Sequence, residues 1–450
     1  MTKRELPVIS LFSGALGLDL GLERAGFRIR VAVDCNRFAA ETIRRNRPEI
    51  PVINRPIEKV STAEILEAAG LRAGEPAVIT GGPSCQAFST AGQRGSLSDP
   101  RGVMFREFLR VVREARPRFF VMENVRGVLS AAVQHRPLGQ RGPGYPPLMP
   151  EEELGSAFRR ILKELKRLNY YVVFDLLNAA DFGVPQVRER VIFIGSRNGE
   201  LVACPAPTHA RHSPNGKPGW VTLHQALKGL RDAHPEFVGL LEKQKKYLKM
   251  IPEGGNWRDL PARLRAPALG KAYKSWGGRV GFLRRLAWDR PAPALTTRPN
   301  SRATMLCHPD ELRPLTVREY ARLQQFPSDW EFDGGTPQQY IQIGNAVPVG
   351  LGQAIGEAVR HAMAGPKHRA DRGAIVCSNE GLLTRLAKRP TTVLNPIRMR
   401  KVKTPGAAAK WLSTGKRNRA DLLRLINSAH VNGRTSRSAE TRRSKAPSKG

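Results

Sequence analysis

Residues 7–34 read PVISLFSGALGLDLGLERAGFRIRVAVD, and their order decides the fold. A short apolar run, Pro7 to Phe12, leads into a turn that holds Gly14 and Gly17. A helical pattern from Leu16 to Ala25 follows, then a second apolar run from Arg30 to Val33 that ends on Asp34. Runs this short and this apolar suit strands buried on both faces, and a helix between them is the crossover that parallel strands need. A glycine turn that leaves a strand and opens a helix favours backbone contact with a small anionic ligand. Asp34 lies 20 residues beyond Gly14, where a carboxylate can accept hydrogen bonds from ribose hydroxyls. Together they point to a nucleoside-type cofactor, without separating NAD from S-adenosylmethionine.

The same rhythm continues to about residue 195. Apolar runs recur at Ala77–Thr80, Arg118–Met122, Tyr170–Phe174 and Arg190–Ile194, and helical patterns at Phe38–Arg45, Phe105–Glu114 and Ala157–Leu168. The spacing predicts an α/β fold: a Rossmann-like, mostly parallel sheet with helices on both faces. Such sheets bind ligands at the carboxyl ends of their strands. Ser13-Gly14, Asp34, Pro83-Ser84-Cys85 and Glu123-Asn124 all fall there. Residues 131–150 are rich in Gly and Pro and read as a loop. From about Leu201 the rhythm gives way to a separate, irregular module rich in Pro, Gly, Trp and basic residues. A helical segment begins near Leu315, and the stretch from Tyr340 to Val359 closes the ordered part.

Charge narrows the partners. The 450 residues carry 74 Lys and Arg against 39 Asp and Glu, a formal net charge of +35. The last 85 residues, 366–450, hold 21 of those cations and four of the acids. Both parts of the chain are therefore basic and suit a polyanion, whose condensed counterions are released on binding. The extension has one modest helical pattern, Ala420 to Ala429, and a Ser/Arg/Lys-rich end expected to be partly disordered. No apolar run approaches the ~18 residues of a membrane span, and Met1–Pro7 has no apolar signal core. Five cysteines, at 35, 85, 204, 307 and 377, form no CxxC pair, so the expectation is reduced thiols, no metal and a cytoplasmic location.

Three further stretches carry chemistry. Cys85 sits in Gly81-Gly82-Pro83-Ser84-Cys85-Gln86, a stiff loop after a buried strand, where a thiol can serve as a nucleophile. Glu123-Asn124-Val125 follows the next strand and adds an acid beside it. In Gln186-Val187-Arg188-Glu189-Arg190, strand alternation puts Gln186, Arg188 and Arg190 on one side as a row of donors.

Taken in order, these motifs resemble the DNA (cytosine-5-)methyltransferases of the bacterial restriction–modification type. Phe12-Ser13-Gly14 through Gly17 resembles the family's cofactor turn, and Pro83-Ser84-Cys85-Gln86 its Pro-Pro-Cys-Gln loop. Asp99-Pro100-Arg101-Gly102 resembles the helix entry that follows. Glu123-Asn124-Val125 matches its Glu-Asn-Val, and Gln186, Arg188 and Arg190 its Gln-x-Arg-x-Arg. Arg313 to Glu319 and Gly344-Asn345-Ala346-Val347-Pro348 match its last two motifs, so the likeness runs from about residue 6 to 362. Two positions depart: Leu16 stands where a second glycine is usual, and Glu58 is the nearest acid to Pro56-Ile57, where one is expected for the adenine amino group.

The resemblance implies a division of labour. Residues 1–200 and 313–365 form the catalytic domain, 201–312 the target-recognition domain, and 366–450 an extension with general DNA affinity. Cys85 adds to carbon 6 of a flipped-out cytosine, and Glu123 binds or protonates ring nitrogen 3. Asn124 orients the site, while Arg188 and Arg190 hold the base oxygen and a nearby phosphate. S-adenosylmethionine is the methyl donor, contacted by Phe12, Ser13, Gly14, Gly17, Asp34, Pro83 and Asn345. The expected partner is double-stranded DNA, with a cognate restriction endonuclease acting separately and the enzyme a monomer at the nucleoid. Lys274-Ser275-Trp276-Gly277-Gly278-Arg279 is a candidate reading loop. A tRNA-acting relative, a DNA-binding regulator without turnover and a nicotinamide-linked oxidoreductase are the alternatives. The large 201–312 module and the intact Cys85, Glu123 and Arg188 weigh against them.

Overall fold

The computed structural model describes residues 5–83, 100–137, 140–141, 144–212, 216–274, 279–365, 370–382 and 386, with backbone alone at 100–102. Ten strands are β1 (Pro7–Leu11), β2 (Arg28–Val33), β3 (Val52–Ile53), β4 (Val78–Gly81), β5 (Phe119–Val125), β6 (Tyr171–Asn178), β7 (Gln186–Val187), β8 (Glu189–Ser196), β9 (Ala292–Pro293) and β10 (Ile375–Cys377). Eight of them form one sheet in the order β10-β6-β8-β5-β4-β1-β2-β3, while β7 and β9 make a separate pair. All neighbours in the large sheet run parallel except β8, which is antiparallel to both β5 and β6. The predicted α/β architecture is therefore present.

Alternation along the strands builds a core on each face. In β5, Phe119 and Val121 enter one core while Phe120 and Met122 enter the other. In β8, Ile192 and Ile194 join the first while Val191 and Phe193 join the second. Among the described residues eleven α-helices accompany the strands: α1 (Gly17–Arg24), α2 (Arg37–Asn46), α3 (Thr62–Ala69), α4 (Pro100–Ala115), α5 (Ser156–Arg167), α6 (Leu223–Leu227), α7 (Glu242–Leu248), α8 (Ala262–Leu269), α9 (Val317–Leu323), α10 (Thr336–Asn345) and α11 (Val349–Ala364). Helices α3, α4 and α5 cover the second face, and α4 does so with Phe105, Phe108, Leu109 and Val112 at helical spacing. Helices α1, α9, α10 and α11 cover the first.

The helix ends follow local chemistry. Asn36 starts α2 by accepting Phe38 N–H at 3.0 Å. Thr316 and Glu319 close a reciprocal cap on α9, at 2.7 and 3.1 Å, and Arg313 grips the same Glu319 with two nitrogens at 2.8 and 3.0 Å. The types and spacing in Arg313–Glu319 thus serve to fix a helix start.

Residues 240–307 carry a small core of their own, with Tyr247, Leu248, Trp257, Leu260, Leu269, Leu283 and Met305. In the extension, β10 pairs in parallel with β6 through Ile375↔Val172 and Cys377↔Phe174. The catalytic sheet therefore reaches past residue 365, where the sequence reading placed its edge. The pattern Ala420–Ala429 lies outside the described residues. No helix among the described residues is long and apolar enough to cross a membrane.

Candidate active site

Because β8 runs backwards, its amino end meets the carboxyl end of β5, with Val125 opposite Arg190 and Glu123 opposite Ile192. Glu123 and Arg190 fall on the same face, and Arg190 Nε stands 2.5 Å from Glu123 Oε1. Both side chains are 13% exposed, so the pair sits at the mouth of the sheet, reachable yet largely out of water. Asn124 alternates to the opposite face and is 1% exposed. That is the face covered by α4, the helix entered directly after the nucleophile loop.

The loop leaves β4 beside this pair. A Cβ built on Gly82 would lie 2.8 Å from Glu123 Oε2. The Glu123 carboxylate therefore lies close against the backbone three residues before Cys85, and a side chain at Gly82 would have to displace it. Cys85 itself, with Ser84 and Gln86, lies outside the described residues, while Pro83 is the last described position and is buried. Elsewhere, burial pushes the Cys204 thiol up to about 12 and the Cys307 thiol up to about 11. Burial also raises Cys35, with the Asp34 charge adding to it. All three are disfavoured as thiolates.

Arg188 occupies a different place from Arg190. It is 2% exposed. Its Nη1 donates to Leu295 O at 2.9 Å and its Nη2 to Gly344 O at 2.7 Å. Gln186 completes a polar knot: its Oε1 accepts Leu295 N–H at 2.9 Å and Arg188 Nη1 at 3.5 Å, and its Nε2 donates to Gln324 Oε1 at 3.0 Å. Gln324 in turn donates to Ile343 O at 2.6 Å. Burial pulls the Arg188 guanidinium well below its usual range, with Arg190 repulsion second and Glu123 opposing both. A guanidinium keeps its proton regardless, so this cost is met by the carbonyls around it. Arg188, which the resemblance places with Arg190 at the base oxygen and a nearby phosphate, ties the entry of β8 to Leu295 and to the end of α10.

The cofactor turn lies three strands away, at the end of β1. Phe12, Gly14 and Leu16 all take left-handed backbone angles, with φ of 54, 51 and 64 degrees. Leu16 thus accepts the conformation that a glycine would take freely, at about 1 kcal/mol of strain, and its side chain is 1% exposed. Ser13 Oγ donates to Ser10 O at 3.1 Å and accepts Val33 N–H at 3.1 Å, which binds the turn to β2. Asp34 accepts Gly14 N–H and Asn36 N–H, each at 2.8 Å. Burial pushes its carboxyl upward, and those two N–H bonds oppose the shift. With one bond on each oxygen, lone pairs remain for hydroxyl donors. Among the described residues, a Cβ on Gly14 would meet nothing within 4 Å. The acceptor oxygens of Asp34 beside the Gly14 turn fit the hydroxyls of a ribose-bearing cofactor. Phe12 is half-buried, Glu58 exposed, and Asn345 exposed at the end of α10. The last motif closes on the first, since a Cβ on Gly17 would lie 2.4 Å from Val347 O.

The candidate reading loop is described only at its ends. Arg279 spans back, with Nη1 donating to Ala272 O at 3.0 Å and to Tyr273 O, while its guanidinium lies 5.3 Å from the Trp257 ring centre. Ser275 to Gly278 lie outside the described residues.

A glycine turn at the end of β1 and a Glu–Arg pair at the end of β5 thus share one edge of a mixed sheet with one reversed strand, the layout of an α/β enzyme. Residues 6–361 match the family model of C-5 cytosine-specific DNA methylases, and the chain belongs to that family of DNA (cytosine-5-)methyltransferases. It is 36% identical over 362 residues to the Type II methyltransferase M.Sau96I of Staphylococcus aureus, covering 80% of this chain and 76% of that one. It is 39% identical over 373 residues to the Type II methyltransferase M.PspPI of Psychrobacter sp., covering 81% of each. A solved structure from E. coli, described as a prophage-encoded DNA modification methyltransferase, shares the fold with a TM-score of 0.55 at 24% identity, over 80% of this chain and all of that one.

Proposed function

We propose that this chain methylates carbon 5 of a cytosine extruded from duplex DNA, with Cys85 as the covalent nucleophile and S-adenosylmethionine as the donor. The observation that carries the reading is the Glu123–Arg190 pair at 2.5 Å, touching the backbone that leads into the Cys85 loop. Carbon 5 of cytosine is a poor nucleophile. Addition of the Cys85 thiolate to carbon 6 pushes the ring electrons toward carbon 5 and nitrogen 3, so one hard step becomes two easier ones. Glu123 holds nitrogen 3 through a shared proton, and Arg190 steadies Glu123 and reaches the base oxygen. When bound, the cofactor supplies a methyl group on a sulfonium, which carbon 5 attacks. Loss of the carbon-5 proton to a base then expels the Cys85 thiolate and restores the aromatic ring.

Phe12, Ser13, Gly14, Gly17, Asp34, Pro83 and Asn345 form the cofactor pocket in this reading. Asp34 takes the ribose hydroxyls and Phe12 stacks on the adenine. Arg188 braces the cofactor side of the site, by holding Gly344 beside Asn345. Extrusion of the base costs a few kcal/mol, offset by contacts in the pocket. Residues 201–312 read the target sequence, and the enzyme acts as a monomer on DNA in the bacterial cytoplasm. The naming of its relatives as Type II methyltransferases supports a modification role, with a separate endonuclease as cognate partner. Bisulfite sequencing of DNA from a host expressing the chain tests the whole reading. Protected cytosines in one sequence context, lost with Cys85→Ala, are expected; no context-specific protection, or protection retained by the variant, would overturn it.

A further inference from the structure

At the end of the sheet opposite Glu123, three arginines line one cavity of about 400 Å³. Arg116 stands just before β5, Arg197 just after β8 and Arg372 just before β10, with Ala73, Gly74 and Asn198 completing the wall. The reversed strand explains the gathering: the carboxyl end of β8 faces the amino ends of its neighbours. Arg197 donates to the carbonyl of Arg116, and Arg372 Nε donates to Asn169 O at 3.2 Å. These bonds anchor the guanidinium groups on backbone without neutralising them. Nearby carboxylates are engaged elsewhere. Glu200 accepts Arg118 Nε at 2.9 Å, Asn198 Nδ2 at 3.2 Å and the Ser196 hydroxyl. Glu75 accepts Arg72 N–H at 2.7 Å. Among the described residues none of the three arginines has a carboxylate within ion-pair distance. The buried Tyr170 hydroxyl, pushed up to about 12 by burial, feels all three charges in opposition.

Three like charges around one cavity repel each other, and an anion in the cavity offsets that cost. Guanidinium forks match the oxygens of a tetrahedral oxyanion, and the lining offers little apolar surface for anything else. We propose that this cavity binds a phosphate group, supplied either by the backbone of DNA passing behind the catalytic face or by a small polyphosphate. The site is independent of the Cys85 chemistry.

The full chain is titrated with pyrophosphate by calorimetry, alongside Arg116→Gln/Arg372→Gln and the remote control Arg44→Gln, an exposed residue of α2. Both altered arginines in the cavity are exposed, and melting temperature and methyl transfer report that the fold is kept. Saturable binding, weakened about tenfold or more in the double variant and unchanged in the control, is expected. No saturable binding, or equal affinities in all three proteins, would overturn the proposal. The salt dependence of binding to a non-target duplex then separates the sources. A logarithmic slope shallower by about 1–2 in the double variant assigns the phosphate to DNA, and an unchanged slope with weakened pyrophosphate binding assigns it to a small compound.

Discussion

Arg190 and Arg188 are two residues apart and carry the same charge, yet their surroundings assign them different work. Arg190 meets Glu123 at a partly open site, where the proposed reading places the reaction. Arg190→Ala is expected to slow single-turnover methyl transfer by about 10²-fold while leaving the melting temperature close to wild type. Arg188→Met leaves the carbonyls of Leu295 and Gly344 without donors and is expected to cost about 2–4 kcal/mol in chemical denaturation. Asp19 gives a prediction in pH. Burial pushes its carboxyl from 3.8 up to about 7, against a hydrogen bond to Ser10. The folded protein therefore keeps a proton that the unfolded chain loses above about pH 4, so this residue's contribution to stability falls as pH rises from 4 to 7 and then levels. Asp19→Asn should remove that slope: in unfolding titrations it is more stable than wild type at pH 8 and similar to it at pH 4.

Among the elements, the first and last helices of the described catalytic fold share a seam of glycines. A Cβ on Gly21 of α1 would lie 2.4 Å from both Gln353 N and Val349 O of α11, and one on Gly352 would lie 2.6 Å from Leu18 O. These are backbone atoms, which cannot step aside as side chains do. Gly21→Ala gains about 1 kcal/mol of helix propensity and is still expected to destabilise by about 2 kcal/mol net, read as a lower denaturation midpoint. The seam brings the Gly344–Pro348 motif onto the Gly14 turn.

Element by element, the strands of the first half of the sheet were readable because buried parallel strands are local apolar runs. The partner of Glu123 was not readable, since only the reversal of β8 and its register with β5 bring Arg190 there. Simple alternation through 186–190 also failed to separate Arg188 from Arg190, because β7 and β8 belong to different sheets. Three-residue β10 left no signal either: Ile375-Val376-Cys377 is too short a run to stand out within a basic stretch, and pairing with β6 makes it a strand.

At the scale of the molecule, charge and topology divide the surface. The cofactor turn, the Glu123–Arg190 pair and the base of the Cys85 loop share one end of the sheet, and the arginine cavity lies at the other. The basic extension adds 21 cations to a chain already positive without it. Removal of residues 387–450, which spares β10, is expected to weaken non-target duplex binding at low salt and to flatten its salt dependence, with little change in the rate of a saturated turnover. Electrophoretic mobility shifts across a salt series measure this.

Cys85 as the covalent nucleophile admits a direct test. Duplex DNA with every cytosine replaced by 5-fluorocytosine blocks the final proton loss and holds any thiol adduct in place. Incubation with the enzyme and S-adenosylmethionine, followed by peptide mapping in a mass spectrometer, should find the nucleotide bonded to Cys85. An enzyme that methylates ordinary DNA yet leaves Cys85 unmodified by the fluorinated duplex, or carries the nucleotide on another residue, would contradict the account.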